Sequence, residues 1–298
     1  MLQRMKIASP LSRKATLVAV VISQWTARKL DRKVTEKVNR EHGAADDAGR
    51  YNKLLLQAKR LEKINSFVSQ ARKLHYRMTK PWADEGLRIL PNVLHEKFAS
   101  EFRAIKRGFD EAVDEFVANY PDAIRERKRA LNGLFNAKDY PPLEEIRSKF
   151  KLAVKTLPVP DADDFRSDVL DADTVEDIRR ELAESADAVL DDAMKDSARQ
   201  IVEVVGHMSR KLKEFDANEK AGTRSFFTAS LVNNVRELAE LLPAFNFTND
   251  PKFDAVVERI NKELCAEDSD ALRDNENARK SVRKSADSIL EDVSALLG

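Results

Sequence analysis

Two groups of basic residues have the type and spacing best suited to a defined chemistry. The first group is expected on one short helix and comprises Lys29, Arg32, Lys33, Lys37 and Arg40. The second is expected on a later helix and comprises Arg125, Arg127, Lys128 and Arg129. Cations on one helix face can neutralise the phosphates of a nucleic acid or the carboxylates of a protein partner. The two groups therefore predict a surface for a polyanion or for an acidic partner.

Residues that carry catalysis or bind metals form no motif in this sequence. None of the 4 histidines lies three or four residues from another histidine or from Cys265, so the spacing of zinc ligands is missing. The sequence contains no nucleophile elbow, P-loop, zinc-protease motif or CxxC pair. The aspartates at 161–164 lack the glycine and glutamate of an EF-hand loop, and those at 187–192 are interpreted as a solvated helix face. We expect no enzyme activity, no cofactor and no bound metal.

Glycine is scarce and charge is abundant, which restricts the fold that positions these residues. The chain has 298 residues with 8 glycines, and 35% of its residues are charged. This is less than half of the usual glycine content of about 7%. Phosphate-cradling loops and tight hairpins need glycine, so Rossmann domains, P-loop enzymes and β-sandwiches are disfavoured. The composition predicts a mainly α protein, and its length is typical of about two domains.

Charge is distributed unevenly along the chain. Residues 1–80 hold 19 basic against 6 acidic residues, residues 81–160 hold 14 against 13, and residues 161–298 hold 19 against 32. A net charge of +1 thus hides one end at +13 and another at −13. Three interpretations are open: the basic third binds a polyanion, the two ends pair within one chain, or they pair head to tail between chains. We favour pairing over nucleic acid.

Hydrophobic periodicity predicts a succession of helices with two isolated strands. The strands are expected at 16–24 and 151–157, and we predict that they pair because isolated strands leave backbone groups unsatisfied. The segment at 80–91 is expected to be a packed loop. The shorter helices are expected at 27–40, 51–79, 91–119, 121–135, 142–150, 226–242, 252–265 and 275–296.

One helix is expected to be much longer than the others. Apolar or small residues from Val175 to Phe215 recur about every 3.6 residues without a proline, which is the period of a straight helix. We predict a helix of about 40 residues over 174–215, ended by a turn at 218–222. It would belong to an elongated helical bundle or protrude as a coiled-coil arm. We divide the chain into a basic-to-neutral helical domain with a minor β element, 1–160, and an acidic bundle or arm, 161–298.

The sequence indicates a cytoplasmic protein. A lone Cys265 cannot form an intramolecular disulfide. The apolar run at 15–22 follows basic residues as in a secretory signal, but it is short and β-branched, so we interpret it as a buried strand. No stretch has the 18 or more apolar residues that a membrane span requires, so no membrane association is expected.

Several short motifs occur together in one order. They surround Trp25 in the segment 24–29, Trp82 and Arg88 in 80–91, Tyr140 in 134–141, and the pair Phe165 and Arg166 after the prolines at 158–160. In order and spacing they resemble a family of phage and prophage proteins recorded only as a domain of unknown function. Such proteins are often encoded beside MoxR-type AAA+ ATPases and von Willebrand A domain proteins. The resemblance implies a phage-encoded protein that works with an ATPase, and it supplies no catalytic residues.

Together these features predict a non-enzymatic, helical interaction or scaffold protein that associates with itself or docks a protein partner. Two alternatives remain open. The first is a nucleic-acid-binding protein of phage replication or recombination that uses the basic N-terminal third. The second is an adaptor of a MoxR-type AAA+ ATPase.

Overall fold

The computed structural model describes residues 10–82, 86–220 and 228–297. Helices dominate these residues, which confirms the mainly α fold class. The helices are α1 (Pro10–Lys14), α2 (Arg32–Glu41), α3 (Glu62–Met78), α4 (His95–Leu131), α5 (Leu143–Ile146), α6 (Ala172–Lys220), α7 (Ser230–Leu241), α8 (Pro251–Arg259), α9 (Ser269–Asp274) and α10 (Glu276–Leu297). The strands are β1 (Ala15–Ser23), β2 (Arg28–Leu30), β3 (Asn52–Leu54), β4 (Lys80–Pro81), β5 (Arg88–Pro91) and β6 (Lys151–Pro158).

The larger sheet has the strand order β4-β5-β1-β6. Strands β1 and β6 are neighbours, which confirms the pairing predicted between 16–24 and 151–157. The sheet is nevertheless four-stranded, because β5 pairs antiparallel with β1 from Ala15↔Pro91 to Val18↔Arg88. The interpretation of 80–91 as a loop was therefore wrong. Strands β4 and β5 span only 2 and 4 residues, too few to show an alternating pattern.

The helix predicted at 27–40 begins later than expected. Ala27 has a φ of 50°, in the left-handed region that interrupts a helix. Asp31 is extended and its carboxylate accepts a hydrogen bond from the Val34 N–H, which makes it the N-cap of α2. Residues 28–30 form β2 instead, so Lys29 lies on a strand and not on the basic helix. Similarly, the helix predicted at 51–79 is β3, a short 3₁₀ turn and then α3.

The two helices predicted at 91–119 and 121–135 are one continuous helix. Helix α4 has 37 residues and contains Pro121 in its interior. A proline removes one helical hydrogen bond, which costs about 3 kcal/mol in an exposed helix. Here Phe116, Tyr120 and Ala123, on both sides of the proline, are all buried. Burial of this face therefore maintains the helix across a residue that usually ends one.

The long helix is confirmed. Helix α6 has 49 residues and continues through Lys220. A turn was predicted at 218–222, but residues 218–220 are helical, so that part of the prediction is wrong. Residues 221–222 lie outside the described residues. The helix predicted at 226–242 is α7, which begins at Ser230. Residues 226–227 also lie outside the described residues. The helix predicted at 142–150 is α5 followed by a 3₁₀ turn, that at 252–265 is α8 with a π turn, and that at 275–296 matches α10.

The chain forms two compact units, each assembled from separate segments. Unit 1 takes its described residues from Met1–Val18, Met78–His95 and Thr156–Gly298. Unit 2 combines Ala19–Arg77 with Glu96–Lys155. The division of the chain at residue 160 into a basic-to-neutral domain and an acidic domain stays a prediction.

Unit 1 is organised around the second half of α6. Its side chains Ile201, Val205, Met208 and Leu212 are fully buried in one apolar core. Residues of α7, α8 and α10 complete this core, so this part of α6 lies in a helical bundle. By contrast, none of the described side chains from 172 to 185 is buried. No helix among the described residues is long and apolar enough to cross a membrane.

Unit 2 is organised around α3 and α4. The apolar face of α3, including Ile64 and Val68, is buried. The aromatic face of α4, including Phe102 and Phe109, is buried as well. The ring of Trp25 lies edge-on to Tyr120 at a centroid distance of 5.7 Å. This core supports the small sheet β2-β3 and the turns that follow α4.

Candidate functional site

Strand β2, the start of α2 and the turns that follow α4 line one concavity of unit 2 with a volume of about 730 Å³. Lys29, Arg32 and Lys33 line one side. Residues 133–136 and Asp139 line the other side. We call this concavity the basic groove.

Ion pairs around the buried carboxylate of Asp139 connect the two sides of the basic groove. The Asp139 carboxylate accepts from Lys53 Nζ at 2.7 Å and from Lys29 Nζ at 2.9 Å. Lys53 Nζ also lies 3.3 Å from Asp31 Oδ2 and donates to the Leu134 carbonyl at 2.9 Å. Because Lys29 and Lys53 are directly opposite each other in the β2-β3 register, Asp139 neutralises two like charges that would otherwise repel.

The pKa values of these groups reflect the same balance. Burial alone would lower the pKa of Lys53, but hydrogen bonds to Asp139 and Asp31 outweigh it and the pKa is raised. Burial alone would raise the pKa of Asp139, but its hydrogen bonds to Lys53 and Lys29 hold that pKa below its usual range. Both shifts favour the charged forms of Lys53 and Asp139. The ion pairs fix the shape of the groove.

Apolar side chains are exposed inside the basic groove. Leu30 is 38% exposed and Leu134 is 37% exposed, and both line the groove. Phe135 is half-buried, with its ring centroid 5.4 Å from that of Tyr140. Lys128 Nζ lies 5.8 Å from the centroid of the Phe135 ring. The groove thus combines an apolar floor with a cationic rim, which suits a partner that is both acidic and apolar.

Several cations at the rim have no acidic partner. Arg32, Lys33 and Arg40 are exposed, and no carboxylate in the described part of the chain pairs with their side chains. A second concavity of about 830 Å³ adjoins the groove at Arg32 and includes Arg40. Lys37 differs, because it forms an i,i+4 ion pair with Glu41 at 3.7 Å. The unpaired cations can therefore contact an external anion without losing an internal ion pair.

The second basic group of the sequence is divided in its roles. Arg125 forms an ion pair with Asp122. The Nε of Arg127 donates to a backbone carbonyl of β3 at 2.9 Å. Lys128 lies over an aromatic ring of the groove, and Arg129 is exposed. The structure therefore brings Lys128 to the groove formed by the first group, whereas Arg125 and Arg127 make internal contacts.

The motif residues of unit 2 have structural roles. Trp25 packs against Tyr120 in the core. The Tyr140 hydroxyl donates to the Leu55 carbonyl at 2.9 Å and is buried. Trp25 and Tyr140 therefore stabilise the packing of loops against the core around α4.

The motif residues of unit 1 also serve the fold. Trp82 donates its backbone N–H to the Leu87 carbonyl at 3.3 Å across the β4-β5 turn. The Arg88 guanidinium donates to the Thr79 hydroxyl at 2.8 Å and to the Thr79 carbonyl at 3.0 Å. These bonds stabilise the end of the sheet.

The last motif pair precedes α6. The Phe165 carbonyl accepts two hydrogen bonds from the guanidinium of Arg179, at 3.0 and 3.2 Å. This bidentate contact holds the segment before α6 against the helix. Arg166 is exposed.

Unit 1 contains one buried lysine with a perturbed pKa. Lys80 is fully buried, and its Nζ lies 3.1 Å from Asp196 Oδ2 and 2.7 Å from Gln200 Oε1. The same Nζ lies 4.5 Å from the centroid of the Phe245 ring. Burial lowers the pKa of Lys80 to about 8, and this effect outweighs the attraction of Asp196. Because no part of the side chain is accessible, we assign Lys80 a role in the core.

Sequence reasoning did not identify Lys53, Asp139 or Lys80 as members of charged clusters. The β2-β3 register and the contacts of α6 create these clusters, and neither is visible in local spacing. Leu134 and Tyr140 did stand out, but as motif residues without a role. Among the described residues, no group of three His, Cys, Asp or Glu side chains could hold a metal ion.

Comparison of the chain with protein-family models, curated proteins and solved structures finds no match. Function is therefore inferred from the geometry of the chain itself.

Proposed function

We propose that this chain is a non-enzymatic interaction protein and that the basic groove of unit 2 binds an acidic segment of a protein partner. The observation that carries this proposal is one concavity lined by exposed Leu30 and Leu134 and by Arg32 and Lys33, which pair with no carboxylate among the described residues. Apolar side chains give a partner buried area, and cations around them favour acidic sequences.

The contents of the groove favour a protein over a phosphate backbone. Phosphate contacts need cations alone, whereas an apolar floor contributes only when an apolar group fills it. A helix or peptide that carries leucine-like side chains among carboxylates meets both requirements. The ion pairs around Asp139 hold the groove in shape before binding, which lowers the entropy cost of association.

Titration with an acidic peptide tests this proposal. The probe is a fluorescein-labelled glutamate peptide of about 16 residues with leucine at every fourth position. We expect fluorescence anisotropy to rise on binding to the full chain, and the double variant Arg32→Glu/Lys33→Glu to weaken binding about tenfold or more.

The matched control is Arg72→Glu/Lys73→Glu, an adjacent exposed pair on α3 with the same change of charge. The control should bind as the wild type does. Equal loss in both variants would mean that only net charge matters, and that outcome would contradict a site at the groove.

Nucleic acid is the second candidate ligand, favoured by the exposed and unpaired Arg40 beside Arg32. A mobility shift with random DNA or RNA at low salt tests it. Absence of a shift at micromolar protein would rule it out. If the shift occurs, a steep fall of affinity with salt is expected because bound phosphates release counterions.

A MoxR-type AAA+ ATPase is a third proposal, and it rests on the resemblance to phage proteins alone. Co-purification with a neighbouring ATPase, with and without nucleotide, tests an adaptor role. A cytoplasmic location, expected from the lone Cys265, belongs to the same proposal.

A further inference from the structure

An apolar row continues from the segment before α6 into its first turns. On the helix, Val175, Ile178 and Leu182 follow one another at helical spacing and are each half-buried. Just before the helix, Val169 is 93% exposed and Leu170 is 40% exposed. Two exposed apolar residues that continue into a half-buried apolar row form a patch of the kind that binds partners.

Carboxylates surround this apolar row. Residues 168–187 contain 8 acidic residues and 2 arginines. Of the arginines, Arg179 donates to the Phe165 carbonyl and so contacts its own chain. Glu181 and Glu184 are exposed and lie one turn apart beside Leu182. We call residues 168–187 the acidic stripe.

From Ala172 onward the acidic stripe is already folded as part of α6. The Asp171 carboxylate accepts hydrogen bonds from the backbone N–H and the hydroxyl of Thr174, at 2.8 Å each. These bonds hold the pKa of Asp171 below its usual range. Side chains become buried only from Ala186 onward, where the helix enters its own packing. A preformed helix loses little entropy on docking.

We propose that the basic groove of one chain binds the acidic stripe of a second copy of this chain. The two surfaces match in both respects: apolar residues meet apolar residues, and cations that pair with no described carboxylate meet exposed carboxylates. Residues 28–40 hold 6 basic against 2 acidic residues, opposite in sign to the stripe. The inference rests on the proposed function, because it names the partner of the same groove.

The contact is heterologous, since groove and stripe are different surfaces. Each chain that uses its groove keeps a free stripe, so association continues into an open chain of subunits or closes into a ring. A variant that loses one surface keeps the other. This property makes the proposal testable by mixing variants.

The test measures mass by sedimentation or light scattering at rising concentration in low salt. Two variants are made: Arg32→Glu/Lys33→Glu in the groove and Glu181→Lys/Glu184→Lys in the stripe. We expect the wild type to form species of two or more chains of 33.8 kDa. We expect each variant alone to stay a monomer and an equimolar mixture of the two to associate again, because the native stripe of one variant meets the native groove of the other and the two charge-reversed surfaces are also complementary.

Matched controls keep the interpretation specific. Asp192→Lys/Glu203→Lys changes charge equally at two exposed positions further along α6 and should associate like the wild type. Circular dichroism should show that all variants are folded. Added salt should weaken association, because exposed charges carry part of it.

Two results would overturn the proposal. One is a wild type that stays a monomer over the whole concentration range. The other is a mixture of the two variants that stays monomeric although the wild type associates. If the wild type is a monomer but still binds the glutamate–leucine peptide, only the identity of the partner is wrong. A wild type that neither associates with itself nor binds the peptide would contradict the proposed function as well.

Discussion

At the scale of single residues, the cations of this chain divide into those fixed inside and those free outside. Lys53 is committed to Asp139 and Asp31, whereas Arg32 and Lys33 are exposed beside the same cluster. The sequence alone presents all of them as equal members of basic runs. Their division depends on the β2-β3 register, because register decides which lysine lies opposite Lys29. The free residues were predicted, but the ion pairs that position them were not.

Lys80 gives a prediction about pH. Its pKa is about 8 in the folded chain and near 10.5 when unfolded, so between these values the unfolded state binds more protons. Stability therefore rises with pH through this window. Relative to Lys80→Met, the wild type should gain about 2 kcal/mol of unfolding free energy between about pH 7.5 and about pH 9.5.

Denaturant unfolding at the two pH values measures this gain. The matched control is Lys73→Met, an exposed position on α3, whose difference from the wild type should not change with pH. If the unfolding free energies of the wild type and Lys80→Met change in parallel with pH, burial does not lower the pKa of Lys80.

At the scale of elements, regular helices were predictable and their interruptions were not. The long α6 follows from an unbroken apolar period. Helix α4 continues through Pro121 because burial of its apolar face stabilises it by more than the missing hydrogen bond costs. The sequence rule that a proline ends a helix considers only the missing hydrogen bond. Strands β4 and β5 are short and depend on β1 for their partners, so their own residues carry little signal.

Two helical glycines should respond oppositely to alanine. A Cβ at Gly108 on α4 would overlap a ring carbon of Phe67 on α3, so the ring must move. At Gly206 on α6 the nearest atom is 3.4 Å away, at the mobile end of Arg210. Gly206→Ala should stabilise the chain by up to about 1 kcal/mol through helix propensity. Gly108→Ala should destabilise it by about 1 kcal/mol or more.

Chemical denaturation of both variants provides the measurement. The double variant Gly108→Ala/Phe67→Leu should recover part of the loss, because the smaller side chain makes room. Stabilisation by Gly108→Ala alone would show that the close approach of α3 and α4 at this position does not constrain their packing.

At the scale of the whole molecule, the separation of charge is the feature that the sequence shows most clearly. The first 80 residues carry a net +13 and residues from 161 onward carry −13. The structure adds that each charged region includes exposed apolar residues, such as Leu30 in the basic groove and Val169 on the acidic stripe. Charge alone left nucleic acid and protein partners open. The paired apolar surfaces favour association between chains.

The most direct measurement identifies what occupies the basic groove. A photo-crosslinking amino acid, p-benzoylphenylalanine, replaces Leu134, which is exposed within the groove. Equal amounts of light and isotopically heavy chain are mixed and irradiated, and the crosslinked peptides are identified by mass spectrometry. Crosslinks that join a light to a heavy chain should map to residues 168–187. Crosslinks confined to the groove's own neighbours, or joining chains through other segments, would contradict the account.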